Sequence, residues 1–178
     1  MTHTYTATIT WKNDGGGFLA GKYSRAHTWK FDCGIELEAS ASPSIVPLPY
    51  SRQEAVDPEE AYVAAISSCH MLTFLYLASK KQIGVSKYTD EAIGVMEPDA
   101  RGQLYVSRVI LRPQIVFEGE TPPPELIQQL NYEAHQQCYV HCEFGSNRNH
   151  SGSIITAQGF AAANTSFSEL MVLGLAPI

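Results

Sequence analysis

The chain has 178 residues, of which 44% are hydrophobic and 17% are charged, and its formal net charge at pH 7 is −6. This length suits one domain with its own core, and the ordinary apolar fraction excludes disorder for most of the chain. The mild acidity argues against a nucleic-acid-binding protein, which normally carries a basic face. Residues 1–11 lack a basic stretch followed by an apolar one, so we expect no secretion signal and a cytoplasmic location.

The first 56 residues predict three strands and an extended connection. Apolar residues alternate with threonine over Thr4–Trp11, which predicts a half-buried strand. The stretches His27–Phe31 and Ile35–Ser40 flank a short turn and predict a hairpin. Three prolines within residues 42–51 predict an ordered, extended connection rather than a regular element.

The clearest helix start in the sequence is at Asp57. Asp57 is a favourable N-cap, Pro58 suits the first helical position, and Glu60 is spaced to complete a capping box. No charged residue occurs from Ala61 to Ser79, but polar side chains in the middle of this stretch argue against a membrane span. We therefore expect a helix buried on nearly every side, covered by a curved sheet and another helix or by a second subunit.

Downstream of this helix the pattern predicts strands, a second helix and a last strand. The predicted strands are Tyr88–Met96 and Gln103–Phe117, and Pro113 within the second implies an edge position or a bulge. A helix is predicted over Pro124–Cys138, followed by a strand over Ser153–Phe160. This order of elements predicts an α+β protein rather than a regular βαβ alternation.

The four cysteines, Cys33, Cys69, Cys138 and Cys142, are too scattered for a disulfide-rich secreted scaffold. In a reducing compartment they are buried apolar side chains, metal ligands or reactive thiols. A single cysteine in a position like that of Cys69 or Cys138 is more often a packed core residue than a reactive one, because cysteine is among the most buried residue types.

Three segments together carry a resemblance to a known family. The segment Asp57–His70, with the sequence DPEEAYVAAISSCH, resembles the central-helix motif of the OsmC/Ohr family of thiol peroxidases, in which a Pro-Glu start leads to a reactive cysteine. The segment Glu133–Cys138 is similar to the second motif, where a helix ends on the partner cysteine, and Tyr23–Trp29 is similar to an N-terminal segment that carries an arginine.

The resemblance implies an OsmC-like α+β fold, with a curved antiparallel sheet wrapped on a long buried central helix in an intertwined dimer. We interpret residues 1–178 as a single OsmC-like domain. Its parts would be strands and a loop (1–56), the central helix (57–83), strands and a second helix (87–160) and a divergent tail (161–178). From His141 onward the chain departs from the family pattern.

The resemblance also implies a thiol-dependent peroxidase of oxidative-stress defence that reduces organic hydroperoxides to alcohols. Cys69 would attack the peroxide and become a sulfenic acid, and Cys138 would condense with it to a disulfide. An external thiol or dithiol, with a lipoyl protein as one candidate, would restore the thiols. The implied enzyme needs no cofactor or metal, and it binds neither nucleic acid nor membrane.

A cation must stabilise the Cys69 thiolate, since a buried helix alone disfavours it. The family segment points to Arg25, with Arg52 as the alternative, although Arg52 is better interpreted as a solvated surface charge. The resemblance assigns Glu59 to orient the arginine. Glu59 precedes Cys69 by ten residues, about 15 Å along a straight helix, so it would have to serve the partner subunit.

Two alternatives remain open from the residues themselves. The side chains of His135, Cys138, His141 and Cys142 are N and S donors of the kind that zinc binds, although their spacing is unusual. A non-catalytic ligand-binding protein on the same fold is the other alternative. His70 points about 100° away from Cys69 around the helix, so we interpret it as a packed or interface histidine.

An apolar substrate pocket is expected beside Cys69, built from Tyr62, Ile66, Met71 or Phe74 and from residues of the facing subunit. Such a pocket would favour bulky organic peroxides over hydrogen peroxide.

Overall fold

A computed structural model of the chain describes residues 2–13, 15, 17–140 and the backbone of 153–156. The chain is an α+β protein, as predicted, and it divides into two compact units, Met1–Tyr62 and Val63–Ile178. The assignment of 1–178 to a single domain stays a prediction.

The first unit is built on a three-stranded antiparallel sheet in the order β1-β2-β3. The strands are β1 (Ala7–Thr10), β2 (His27–Phe31) and β3 (Glu36–Ala39), and a single 3-10 turn covers Phe18–Ala20. The predicted positions of the three strands are confirmed, but the expectation that the first is half-buried is wrong. All four residues of β1 are exposed in the single chain, where β1 lies at one edge of the sheet beside β2.

The proline-rich connection after β3 is ordered by hydrogen bonds to the end of that strand. The amide of Ser40 donates to the carbonyl of Val56 at 3.0 Å, and the Ser40 hydroxyl accepts from the amide of Arg52 at 3.0 Å. These bonds hold both ends of the connection together, which confirms the prediction of an ordered segment.

The long helix α1 spans Pro58–Lys80. Its predicted capping box is present, since Asp57 Oδ1 accepts from the amide of Glu60 at 2.8 Å and Glu60 Oε2 accepts from the amide of Asp57 at 3.4 Å. By length and composition alone α1 could also cross a membrane, but the core helix of a soluble protein passes the same test.

The expectation that α1 is buried on nearly every side is wrong for the single chain. Five residues of one stripe are buried, namely Ile66, His70, Phe74, Leu77 and Ala78. On another side of the helix Leu72 and Tyr76 are 60% and 57% exposed. Ala65, Cys69, Leu72 and Tyr76 follow one another at spacings of four, three and four residues, so they share a face that we call the exposed stripe.

The second unit contains two further sheets. Strand β4 (Val85–Asp90) pairs antiparallel with β7 (Pro113–Phe117), and β5 (Ile93–Pro98) pairs antiparallel with β6 (Leu104–Leu111). Strand β8 (Ser153–Thr156) pairs parallel with β6, so the start of the predicted last strand is confirmed.

Two of the predicted strands are each divided in two. The stretch predicted as Tyr88–Met96 breaks between Asp90 and Ile93, and the stretch Gln103–Phe117 breaks at Arg112. The breaks coincide because Asp90 Oδ1 accepts from the amide of Arg112 at 2.6 Å, a bond outside the strand ladders. Pro113 opens β7 in a two-stranded sheet, which confirms its predicted edge position.

Helix α2 spans Pro124–Gln136 and packs on the second half of α1. One hydrophobic cluster joins the two helices and consists of Phe74, Leu77, Ala78, Leu130 and Ala134. A second cluster joins α1 to β6 through Ile66, Val109 and Leu111. The core of the second unit thus fixes α1 between a helix and a sheet.

Candidate functional site

Cys69 belongs to the exposed stripe of α1. Its side chain is a thiol of intermediate exposure, and its carbonyl accepts a hydrogen bond from the Thr73 hydroxyl at 2.9 Å. Leu72 and Tyr76 follow it on the same face. A thiol in this position is accessible to a small molecule and has apolar neighbours.

His70, the next residue, points into the core and is 1% exposed. Its Nδ1 lies 3.1 Å from the Tyr88 hydroxyl and its Nε2 lies 3.3 Å from the main-chain oxygen of Asn131. Burial lowers the pKa of His70, with the Asn131 carbonyl and the charge of Asp90 acting in the opposite direction. Because a carbonyl can only accept, the neutral imidazole carries its hydrogen on Nε2 and accepts from Tyr88 at Nδ1.

Asp90 extends this polar network to the other side of Cys69. Its Oδ2 accepts from the hydroxyl of Ser67 at 2.5 Å. Burial raises the pKa of Tyr88, and the negative charge of Asp90 adds to this effect. The Tyr88 phenol is therefore a neutral donor, which suits its bond to His70. The helix is thereby tied by Ser67 and His70 to β4 on both sides of Cys69 in the sequence.

Cys138 lies just beyond the C-terminal end of α2 and is 6% exposed. Its side chain is a thiol, and its amide lies 3.4 Å from the carbonyl of His135 as a weak continuation of the helical pattern. Ile127, Leu130, Ala134 and Cys138 are all buried and recur at helical spacing. Cys138 therefore continues the buried face of α2, which packs on α1.

The two cysteines thus belong to neighbouring packed elements of the second unit. The residue after Cys69 bonds to Asn131, which precedes Cys138 by two turns of α2. The disulfide between them stays a prediction. Cys33 lies in the exposed turn between β2 and β3, as the sequence indicated.

Arg25 is held inside the first unit by several contacts. Its guanidinium stacks on the Tyr23 ring, with Cζ 3.7 Å from the ring centroid, and it donates to the carbonyls of Tyr23 and Gly21. Its amide donates to the carbonyl of Tyr50 at 2.8 Å. The next histidine, His27, accepts from Trp29 Nε1 at 2.7 Å. The contacts with Tyr23 and Gly21 hold the Arg25 guanidinium in place.

Arg52 pairs with Glu38 at 3.4 Å, and both side chains are largely exposed. This geometry fits the interpretation of Arg52 as a surface charge. Glu59 lies in the first turn of α1 and is partly buried. The roles of Arg25 and Glu59 toward a cysteine stay predictions.

Two residues expected to line a substrate pocket lie in the hydrophobic core instead. Ile66 is 1% exposed and Phe74 is fully buried, because each belongs to a hydrophobic cluster of the second unit. They offer no surface to a substrate in the single chain. Tyr62 is 39% exposed and Met71 is partly buried, so these two retain accessible surface.

Among the described residues no group of three or more His, Cys, Asp or Glu side chains is arranged to hold a metal ion. The zinc alternative needs His141 and Cys142, which lie outside the described residues. It therefore stays untested.

Sequence reasoning identified His70 as packed but missed its partners Tyr88, Asn131 and Asp90. Residue type carried no signal for the contact with Asn131, because His70 binds the main-chain oxygen, while the Asn131 side chain donates to the carbonyl of Ile127 at 2.9 Å.

Comparisons with known proteins place this geometry in a family. The profile of the OsmC-like protein family matches residues 51–150. A solved OsmC-like protein of unknown function from Vibrio cholerae is 40% identical, with a TM-score of 0.80, over 90% of this chain and 100% of that one.

More distant structures share the fold. An organic hydroperoxide resistance protein from Elizabethkingia anophelis is 22% identical, with a TM-score of 0.61, over 88% of this chain and 97% of that one. The organic hydroperoxide resistance protein OhrB of Bacillus subtilis is 17% identical, with a TM-score of 0.60, over 89% and 98%. Among curated proteins, none matches the chain.

Proposed function

Because the chain belongs to the OsmC-like family, we propose that it is a thiol-dependent peroxidase that reduces organic hydroperoxides in defence against oxidative stress in the cytoplasm. The observation that carries the proposal is the placement of the two motif cysteines. Cys69 is a partly exposed thiol on α1, and Cys138 is a buried thiol at the end of the helix that packs on α1. Cys69 is accessible to a substrate, and the burial of Cys138 shields it from direct reaction with the peroxide.

The reaction has two steps. The Cys69 thiolate attacks the outer oxygen of ROOH, the oxygen–oxygen bond breaks, and ROH leaves after taking up a proton, so that Cys69 becomes a sulfenic acid. The Cys138 sulfur then attacks the Cys69 sulfur, and a disulfide forms with release of water. The pair of thiols supplies two electrons to the peroxide. An external dithiol returns them by thiol–disulfide exchange, and a lipoyl protein is one candidate.

The proposed enzyme is a homodimer, and the exposed stripe of α1 supports this. Its members Ala65, Cys69, Leu72 and Tyr76 have the spacing of a seam between two packed helices. A second copy of the chain would cover Leu72 and Tyr76, whose exposure is costly in a monomer. Glu59 would then orient Arg25 at the site of the partner subunit, and Arg25 would stabilise the thiolate and the peroxide.

Apolar side chains of α1 that keep accessible surface favour a bulky organic hydroperoxide over hydrogen peroxide. Tyr62 and Met71, together with residues of the facing subunit, would contact the alkyl or aryl group. The alkyl or aryl group of an organic hydroperoxide buries apolar surface on binding, and hydrogen peroxide has no such group.

Counting thiols tests the proposal. The reduced protein is treated with one equivalent of cumene hydroperoxide, and thiols are titrated before treatment, after it and after addition of dihydrolipoamide. We expect the rapid loss of two thiols and their full recovery, with the same result in Cys33→Ala, which removes the exposed turn cysteine. A protein that keeps all its thiols is not a peroxidase, and bound zinc found by metal analysis would favour the metal-binding alternative.

A further inference from the structure

We infer that His70 is a positioning residue for the second step, which sets the rate of disulfide formation by holding the helix of Cys69 against the helix of Cys138. The inference rests on the proposed function. His70 is proposed to touch neither the peroxide nor the sulfur atoms. It acts through the hydrogen bond between its Nε2 and the main-chain oxygen of Asn131.

The bond joins α1 and α2 close in sequence to Cys69. His70 directly follows Cys69 on α1, and Asn131 lies on the stretch of α2 that leads to Cys138. Any sliding or rotation of one helix against the other therefore changes the length of this bond. Phe74 and Leu130, which also join the two helices, make non-directional contacts that allow such a shift more readily.

The imidazole of His70 is bound on both sides. The Asn131 carbonyl on α2 can only accept, so the ring hydrogen lies on Nε2 and points to α2, while the Tyr88 hydroxyl of β4 binds Nδ1. Both ring nitrogens are used, and the ring is 1% exposed, so water does not compete for either bond. Burial lowers the pKa of His70, which favours the neutral ring that this arrangement needs.

Disulfide formation requires a narrower geometry than peroxide attack does. A disulfide requires the two Cα atoms to come within about 4.4–6.8 Å and the Cβ atoms to face each other. A misplacement of about 1 Å in a reacting pair can slow a step about 100-fold. Peroxide attack needs only Cys69 and a mobile substrate, so a shift between the helices would affect the second step and spare the first.

Two substitutions of His70 separate the hydrogen bond to α2 from the bond to β4. His70→Gln places an amide nitrogen at the level of Nε2 and keeps a donor toward Asn131. His70→Asn is one carbon shorter and reaches only toward Tyr88. His70→Met fills a similar volume with no donor and repeats the test should the asparagine variant not fold. Tyr88→Phe is the matched control, since it removes the other bond of the same ring.

Each variant is treated with one equivalent of cumene hydroperoxide and quenched over time. Sulfenic acid is trapped with dimedone, disulfide is measured by mass spectrometry, and sulfinic acid is measured at excess peroxide. We expect sulfenic acid to form at the wild-type rate in all four variants. Disulfide formation should slow by at least about tenfold in the asparagine and methionine variants, with more sulfinic acid, and stay within twofold in the glutamine and Tyr88→Phe variants.

Two outcomes overturn the inference alone. Disulfide formation at the wild-type rate in His70→Asn or His70→Met would show that the bond to α2 is not needed. Equal slowing in His70→Gln and Tyr88→Phe would show a general loss of packing instead. A wild-type protein that forms no sulfenic acid would overturn the proposed function, and the inference with it.

Discussion

The hydroxyl of Ser67 donates a 2.5 Å hydrogen bond to Asp90 Oδ2, and the other carboxylate oxygen of Asp90 accepts from the amide of Arg112 at 2.6 Å. Asp90 thus joins α1, the end of β4 and the break before β7. This carboxylate organises three elements near the turn of α1 that carries Cys69.

Removing the Ser67 hydroxyl should destabilise the protein. In Ser67→Ala the partly buried carboxylate of Asp90 loses a donor, which costs about 1–3 kcal/mol of unfolding free energy. Urea denaturation followed by circular dichroism measures this. Ser68→Ala is the matched control because it makes the same change at the next, exposed position of the helix. Equal stability of the two variants would contradict the structural role of Asp90.

Removing the guanidinium of Arg25 should slow the first chemical step. In Arg25→Gln a fixed cation is lost, and we expect sulfenic acid formation to slow about 100-fold, the size typical for loss of one electrostatic contact in a reaction centre. Dimedone trapping on a Cys138→Ser background measures this step alone. Arg52→Gln is the control, since Arg52 makes an exposed ion pair with Glu38. If Arg52→Gln formed sulfenic acid slowly and Arg25→Gln formed it at the wild-type rate, Arg52 and not Arg25 would be the cation that activates Cys69.

A charge in the exposed stripe should disrupt the dimer. Leu72→Glu would bury an unpaired carboxylate where two copies of α1 meet, and we expect the dimer dissociation constant to rise at least about 100-fold. Sedimentation equilibrium measures it. Gln128→Glu makes the same charge change at an exposed position of α2 and should leave the constant unchanged. A wild-type protein that is monomeric at all concentrations would refute the dimer itself.

The stability of the protein should depend on pH through His70. Burial lowers the pKa of His70 in the folded state, against weaker opposing effects of the Asn131 carbonyl and Asp90, while the unfolded chain takes up a proton below about pH 6.5. The unfolded state then binds more protons, so this contribution to stability is complete above about pH 6.5 and is lost as pH falls below it.

The glutamine variant isolates this contribution, because His70→Gln has no group that titrates there. Between pH 7.5 and 5.0 the unfolding free energy of the wild type should fall more steeply, by up to about 1.4 kcal/mol per pH unit. The measurement is urea denaturation at a series of pH values. Parallel curves for the two proteins would mean that His70 titrates alike in both states.

Local signals determined how much could be predicted. The start of α1 was predictable because the capping box at Asp57 and Glu60 depends on four consecutive residues. The strand breaks at Asp90 and Arg112 were not, because the bond that causes them joins residues 22 positions apart in the chain.

The same limit applies to the candidate site. The motifs indicated Cys69 and Cys138, yet the contact of His70 with Asn131 spans 61 positions of the chain and uses a main-chain oxygen, which no residue type marks. The exposure of β1 and of Leu72 also escaped prediction, because an apolar pattern marks a face to be covered without saying whether the same chain covers it.

Mapping of the disulfide is the sharpest test of the proposed peroxidase. The reduced protein is treated with one equivalent of cumene hydroperoxide, alkylated without reduction and cleaved with chymotrypsin, which separates Cys138 from Cys142 after Tyr139. We expect one abundant crosslinked peptide pair that joins Cys69 to Cys138 and disappears on reduction. A crosslink of Cys69 to Cys33 or Cys142 in its place, or unlinked Cys69 and Cys138 after the peroxide is consumed, would contradict it.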